Sequence, residues 1–267
     1  MIRNKLPNTG FRHFLLSPDK PSYDRQVDSV RDIRPDLILA VGSRATEIAK
    51  AHFRETPIVF SSVLYPVLSG YVKSLARPGG NITGASLNIP VDIQFRNFTR
   101  IIPGLKNVGL LYSGNTAALI PPSRIVAKQL GLNLIAVEVN DQKMLPAALD
   151  SLTTTCDGIW SVADPNLFSP QSTRFILLQA IRRGIPFMGF SRNVVESGAL
   201  FALDFDYKAV GRQAGKTACR ILEGTDPGKI PVTSPDVIWF HYNERTAEHI
   251  KVKIPDDLTA IAKEVYR

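Results

Sequence analysis

Side chains suited to gripping a small polar molecule recur in this chain directly after short apolar runs. Ser43 follows Leu37 to Val41, Ser61 and Ser62 follow Ile58 to Phe60, and Asn115 and Thr116 follow Val108 to Tyr112. Asp164 comes after Gly158 to Val162, Ser191 after Pro186 to Gly189, and Asp204 after Leu200 to Leu203. Hydroxyls and amides exchange hydrogen bonds, and a carboxylate can pair with an ammonium group, so the set suits non-covalent binding of a charged organic solute. Each member also has an ordinary structural reading. Ser43 fits a helix N-cap, Asn115 and Thr116 a plain loop, and Asp164-Pro165 a turn, while Asp206 reads better as a helix cap than as a contact. Tyr65, Phe168 and Phe190 supply aromatic walls for a ligand or else pack into a core.

Covalent and metal chemistry find little support. His13, His52, His241 and His249 fall mostly outside the strand-end clusters, and there is no nucleophile elbow, Walker loop or paired-histidine helix. Gly79-Gly80 lies in a turn leading from a helix into a strand, the reverse of a phosphate-gripping loop. Cys156 and Cys219 are far apart and spaced for neither zinc nor a redox pair, so both read as buried free thiols. The expectation is therefore no catalytic residue, no metal and no cofactor.

The elements that must hold these groups alternate. Apolar runs of strand length hand over to helical stretches throughout, the pattern of parallel sheets with right-handed crossovers. In such sheets the crevice beyond the carboxyl ends of the strands is where ligands bind. The opening carries a candidate strand at Phe11 to Leu16, a turn at Pro18-Asp19-Lys20-Pro21 and a helix from Ser22 to Ile33. Further helices are expected over Thr46 to Phe53, Val67 to Leu75, Val91 to Ile102 and Tyr207 to Glu223, with a last one near Pro255 to Val265. The strands outnumber what one small sheet takes. A division near Ala85 to Pro90 gives two similar units, with a first lobe over 1–86 and 200–230, a second over 87–199 and 231–246, and a tail helix over 247–267. Two such lobes enclose a cleft, a favoured place for a pocket.

Composition bounds the rest. The chain has 267 residues, enough for one large α/β domain or two smaller ones, and its 44% hydrophobic and 21% charged content is that of a globular protein. No apolar stretch approaches the roughly 20 residues that span a bilayer. The net charge of +8 raises nucleic-acid binding, but Arg182-Arg183 is one of the few adjacent basic pairs and no binding motif is present, so nucleic acid is not an expected partner. The start, Met1 to Pro7, has basic residues without an apolar segment behind them, so no export signal is visible in it.

Several runs resemble the ABC-transporter substrate-binding protein family that includes tryptophan- and tyrosine-type uptake proteins. They are Pro35 to Ser43, Pro57 to Phe60, and above all Leu75-Ala76-Arg77-Pro78-Gly79-Gly80-Asn81-Ile82-Thr83-Gly84. The likeness continues through Ile102 to Val108, Asp164-Pro165, Ile185-Pro186 with Gly189, Glu196 to Leu200, Asp206-Tyr207 with Gly211-Arg212, and Lys253-Ile254-Pro255. It implies a type 1 periplasmic-binding-protein fold, two Rossmann-like lobes joined by a three-stranded hinge. The implied function is capture of a small organic ligand, plausibly an amino acid or related carboxylate, between the lobes by a monomer outside the cytoplasm that serves a membrane permease. A ligand-sensing regulatory module of the same fold is the alternative, and an α/β enzyme a third. Two departures stand out. Family members usually carry an export signal, then a strand and helix ahead of Phe11 to Leu16, and the first strand and helix are expected to be missing here. The family's frequent Gly-Asp-Pro appears as Leu64-Tyr65-Pro66, which removes a carboxylate and puts Tyr65 in its place.

Overall fold

The computed structural model describes residues 2–16 and 20–267. The chain divides into two compact units, one formed by 1–88 with 205–237 and the other by 89–204 with 238–267. It thus crosses between them at 88/89, 204/205 and 237/238.

The first unit begins with α1 (Ile2–Lys5) and α2 (Lys20–Ile33), then runs β1 (Ile38–Val41), α3 (Ser43–His52), β2 (Ile58–Val63) and β3 (Ile82–Ser86). The second takes over with α4 (Val91–Ile101), β4 (Asn107–Tyr112), α5 (Ile120–Gln129), β5 (Asn133–Glu138), α6 (Leu145–Thr155), β6 (Gly158–Trp160), α7 (Pro170–Arg182), β7 (Phe187–Gly189), α8 (Arg192–Glu196) and β8 (Phe201–Phe205). Helix α9 (Tyr207–Leu222) returns to the first unit, and β9 (Ile238–Asn243), α10 (Glu244–His249), α11 (Asp256–Ala260) and β10 (Ala262–Tyr266) complete the second.

The first unit's sheet has the order β1-β2-β3, all parallel, with Ile38 beside Ile58 and Ile58 beside Ile82. The second unit's sheet has the order β10-β9-β8-β7-β6-β4-β5. In the first unit Ala49 of α3 and Phe53, just after it, pack with Val27 of α2 over Ile58 and Phe60 of β2, while α9 packs on β2 and β3. In the second, Leu145, Leu149 and Leu152 of α6 and Ile176 and Leu177 of α7 close over Leu111, Ile159 and Phe187. Helix α4 puts Phe95, Phe98 and Ile101 on one buried face. There Phe98 meets Phe201 edge-on at 5.4 Å and Phe95 meets Trp160 at 5.0 Å.

Local chemistry sets several boundaries. Ser169 and Ser172 form a capping box ahead of Pro170, so α7 begins where its first amides are already satisfied. The Asp206 carboxylate accepts from the amides of Lys208 and Ala209 at 2.7 and 3.2 Å and opens α9.

Four expectations are corrected. Phe11 to Leu16 joins no sheet, and Phe11 and Leu15 are exposed, because β1 pairs only with β2 among the described residues. Of the expected turn at 18–21, Pro18 and Asp19 lie outside the described residues, while Lys20 and Pro21 already belong to α2. Val67 to Leu75 is a series of turns rather than a helix; Gly70 takes φ +67 and Tyr71 donates back to the Pro66 carbonyl, which stops propagation. The tail is not one helix: α11 ends at Ala260, and Ala262 to Tyr266 pairs in parallel with β9 as an edge strand of its sheet.

Candidate functional site

In the first unit the ends of β1 and β2 are tied together, with the Gly42 amide donating to the Ser61 carbonyl at 2.8 Å. The N-cap of α3 is Gly42, at φ +86, and Ser43 is the first helical residue instead of the cap expected for it. Its exposed hydroxyl therefore stands beside the unpaired first-turn amides without serving them. Ser61 and Ser62 lie within the carboxyl half of β2 rather than after it, because the strand runs on to Val63; Ser61 is buried, and Ser62, half-buried, sits at a register shift with φ +60. The hydroxyls of Ser43, Ser61 and Ser62 make no hydrogen bond among the described residues.

Tyr65, three residues on, also takes a left-handed backbone at φ +50. Its amide donates to Asn88 Oδ1 at 2.7 Å, and Asn88 is held by Ser86 through its own amide and Oδ1. Two non-glycine residues in this conformation within one short loop cost of order 1 kcal/mol each, and such outliers gather at ligand clamps. Ser86 and Asn88 were not among the expected site residues; the Asn-Ile-Pro run reads only as a crossover until the Tyr65 loop folds onto it.

In the second unit the loops after β4 and β6 meet around one carboxylate. Asp164 is 1% exposed. Its Oδ2 accepts from the Ser113 hydroxyl at 2.8 Å, the Ser113 amide at 3.1 Å and the Thr116 hydroxyl at 2.7 Å, and its Oδ1 accepts from the Asn166 amide at 3.0 Å. Burial by itself pushes its pKa up, but the hydrogen bonds from Thr116, Ser113 and Asn166 more than offset that and hold the carboxyl below the ordinary carboxylate range. Asn115 lies between these partners and is exposed, its amide donating to Ser113 Oγ at 3.3 Å. Ser113, the residue that links both loops, carries no signal in the sequence beyond its place at a strand end.

Ser191 precedes α8 and its hydroxyl caps nothing. The first amide of α8, that of Arg192, goes instead to Asp204 Oδ2 at 3.1 Å, and Asp204 lies within β8 rather than in a loop after it. Phe168 and Phe190, from the loops after β6 and β7, pack edge-on at 5.0 Å against each other and against the second unit's core.

One further buried group had no signal as a lone residue. His241 on β9 is 1% exposed and neither ring nitrogen has a hydrogen-bond partner among the described residues; Glu264 Oε2 stands 3.6 Å from Nδ1. Among the described residues no group of three or more His, Cys, Asp or Glu is placed to hold a metal ion, and no helix is long and apolar enough to cross a membrane.

Comparison with known proteins places this arrangement. The chain is 28% identical over 223 residues to a tyrosine-binding protein of Clostridioides difficile, covering 82% of this chain and 64% of that protein. It is 23% identical over 207 residues to an uncharacterised protein of Rickettsia prowazekii, covering 77% and 63%. The chain thus spans somewhat under two thirds of the length of these curated relatives. Among solved structures it resembles the ligand-free, open form of a substrate-binding protein with adhesive properties from Clostridium difficile. The TM-score is 0.75 at 22% identity, covering 92% of this chain and 83% of that one. An ABC domain in complex with L-Trp from Streptococcus pneumonia matches with a TM-score of 0.68 at 22% identity, covering 92% and 84%. These two likenesses establish the two-unit type 1 periplasmic-binding-protein fold. The profile of the ABC transporter substrate binding protein family matches residues 24–266, and the chain belongs to that family.

Proposed function

We propose that this chain is the solute-binding component of an ABC importer, that it takes an amino acid or a closely related carboxylate, and that it binds without transforming it. The observation that carries this is the set of strand-end hydroxyls, Ser43, Ser61, Ser62 and Ser191, that have no partner among the described residues in a fold whose ligands bind beyond the strand ends. Free hydroxyls next to the first-turn amides of α3 suit a solute carboxylate. In the first unit the proposal assigns solute contacts to Ser43, Ser61 and Ser62, with Tyr65 offering a ring; in the second it assigns polar contacts to Asn115 and Ser191. Asp164 and Thr116 act through the loop they hold, and Asp204 through the start of α8. The family relationship further supports work outside the cytoplasm, as a monomer, with a membrane permease as partner.

A thermal-shift screen over the amino acids tests the reading, since a solute at a hundred times its Kd adds about 2.7 kcal/mol. The expected result is a clear upward shift with at least one amino acid, weakened about tenfold in Kd by a Ser43→Ala/Ser61→Ala pair whose unliganded melting is unchanged. Asp164→Asn should lower the melting temperature with and without solute alike. No shift with any amino acid, or turnover of the bound one, would refute the proposal.

A further inference from the structure

Helix α9 carries Lys208, Arg212, Lys216 and Arg220, each four residues from the last and all exposed, with no acidic residue anywhere between Tyr207 and Leu222. At a rise of about 1.5 Å per residue the four cations form one ridge about 18 Å long. The opposite face, Val210, Ala214 and Ala218, is fully buried, so the helix is fixed and cannot turn the ridge away. Little neutralises it. Arg212 stands 3.9 Å from Asp206, whereas Lys208, Lys216 and Arg220 form no ion pair among the described residues, and nearby Glu223 is taken by Lys5 at 3.1 Å. The first unit has 17 of the chain's 32 Lys and Arg but only 11 of its 24 Asp and Glu, so most of the net positive charge resides on the unit that bears the ridge.

We propose that this ridge is a docking surface for an anionic membrane, with lipid phosphates as the recognised groups. A convex rod of long, flexible cations lacks the buried aromatic or aliphatic anchors that protein partners need, Tyr207 at one end being its single large ring. A fluid sheet of phosphates adapts to such a rod, and each cation near an anionic surface contributes about 1 kcal/mol. Tyr207 apart, the large apolar side chains of α9 face the core, so the contact is mainly electrostatic and reversible by salt. The inference does not depend on which solute the protein takes, or on whether it takes one.

Flotation with vesicles of equal parts phosphatidylglycerol and phosphatidylcholine, against pure phosphatidylcholine, tests it at about 0.15 M ionic strength. The full chain should partition at least about a hundredfold better onto the anionic vesicles. Lys216→Glu/Arg220→Glu should abolish that preference, and the milder Lys216→Gln/Arg220→Gln should weaken it about tenfold with unchanged thermal melting. The reversal Arg124→Glu/Lys128→Glu on α5, equal in net charge and also exposed, should leave most of it. Equal partition onto both vesicle types would overturn the proposal, as would equal losses from the two reversals, which would reduce the effect to net charge. Displacement by inorganic phosphate at constant ionic strength, or retention on polyglutamate without vesicle binding, would overturn it in favour of a free anion or an acidic protein partner.

Discussion

Burial shifts the titration of both His241 and Asp164, opposed by nearby carboxylates at the first and by hydrogen bonds at the second. Burial pushes the His241 pKa down from its ordinary value, Asp204 on β8 and Glu264 on β10 push it up, and Arg192 on α8 and Lys263 on β10 push it down again; burial prevails. The unfolded chain then binds a proton more readily than the folded one, so stability is full above about pH 6.5 and falls as the pH drops through that value. The melting temperature should decline between about pH 7.5 and about pH 5.5, and His241→Phe should flatten that decline. An unchanged slope in the variant would show that another group is responsible. Asp164 acts lower on the scale. Its depressed pKa adds stability that is present above the ordinary carboxylate range and lost only as the pH falls through it.

Elements depend on fits that single residues permit. In β6, a side chain at Gly158 would place its Cβ only 2.5 Å from the Phe98 ring of α4. That ring is itself held edge-on to Phe201 of β8, so it has little room to retreat. Gly158→Ala should therefore destabilise the protein by about 1–3 kcal/mol, read as a fall in the urea midpoint at constant m-value. A midpoint within error of the parent would mean that α4 shifts freely, contrary to the packing described. The same logic explains why α7 and α9 start where they do: Ser169 and Asp206 each satisfy first-turn amides, and neither helix needs its neighbours to define its first residue.

For the molecule as a whole, the first sheet presents an exposed apolar edge strand. Leu39 and Val41 of β1 are 44% and 65% exposed, on a parallel strand paired on one side only among the described residues. Parallel strands are ordinarily covered on both faces, and an apolar open edge invites pairing with another chain. Val41→Lys should raise the concentration at which light scattering first reports self-association, while altering stability by no more than about 0.5 kcal/mol. If scattering begins at the same concentration, association proceeds through some other surface.

Much of the architecture was legible in the residues themselves because it rests on local causes. Apolar runs of strand length, proline at the first helical position, serine or aspartate just before it and glycine in turns specify β2, β4, α7 and α9 without reference to anything distant. The strand-end position of Ser43, Asn115 and Ser191 follows from the same alternation, whereas β2 runs on through Ser61 and Ser62 to Val63. What the tertiary structure decided are the matters in which separate segments compete for one group. Only folding brings Ser113, Thr116 and Asn166 onto Asp164, gives the first amide of α8 to Asp204 rather than Ser191, and makes Gly42 the cap in place of Ser43. Only folding sets the final residues beside β9 as a strand, although their sequence also suits a helix. A hydrogen-bond partner or a sheet neighbour dozens of residues away leaves no periodicity in the chain, and its effect exists only once the two segments are held together.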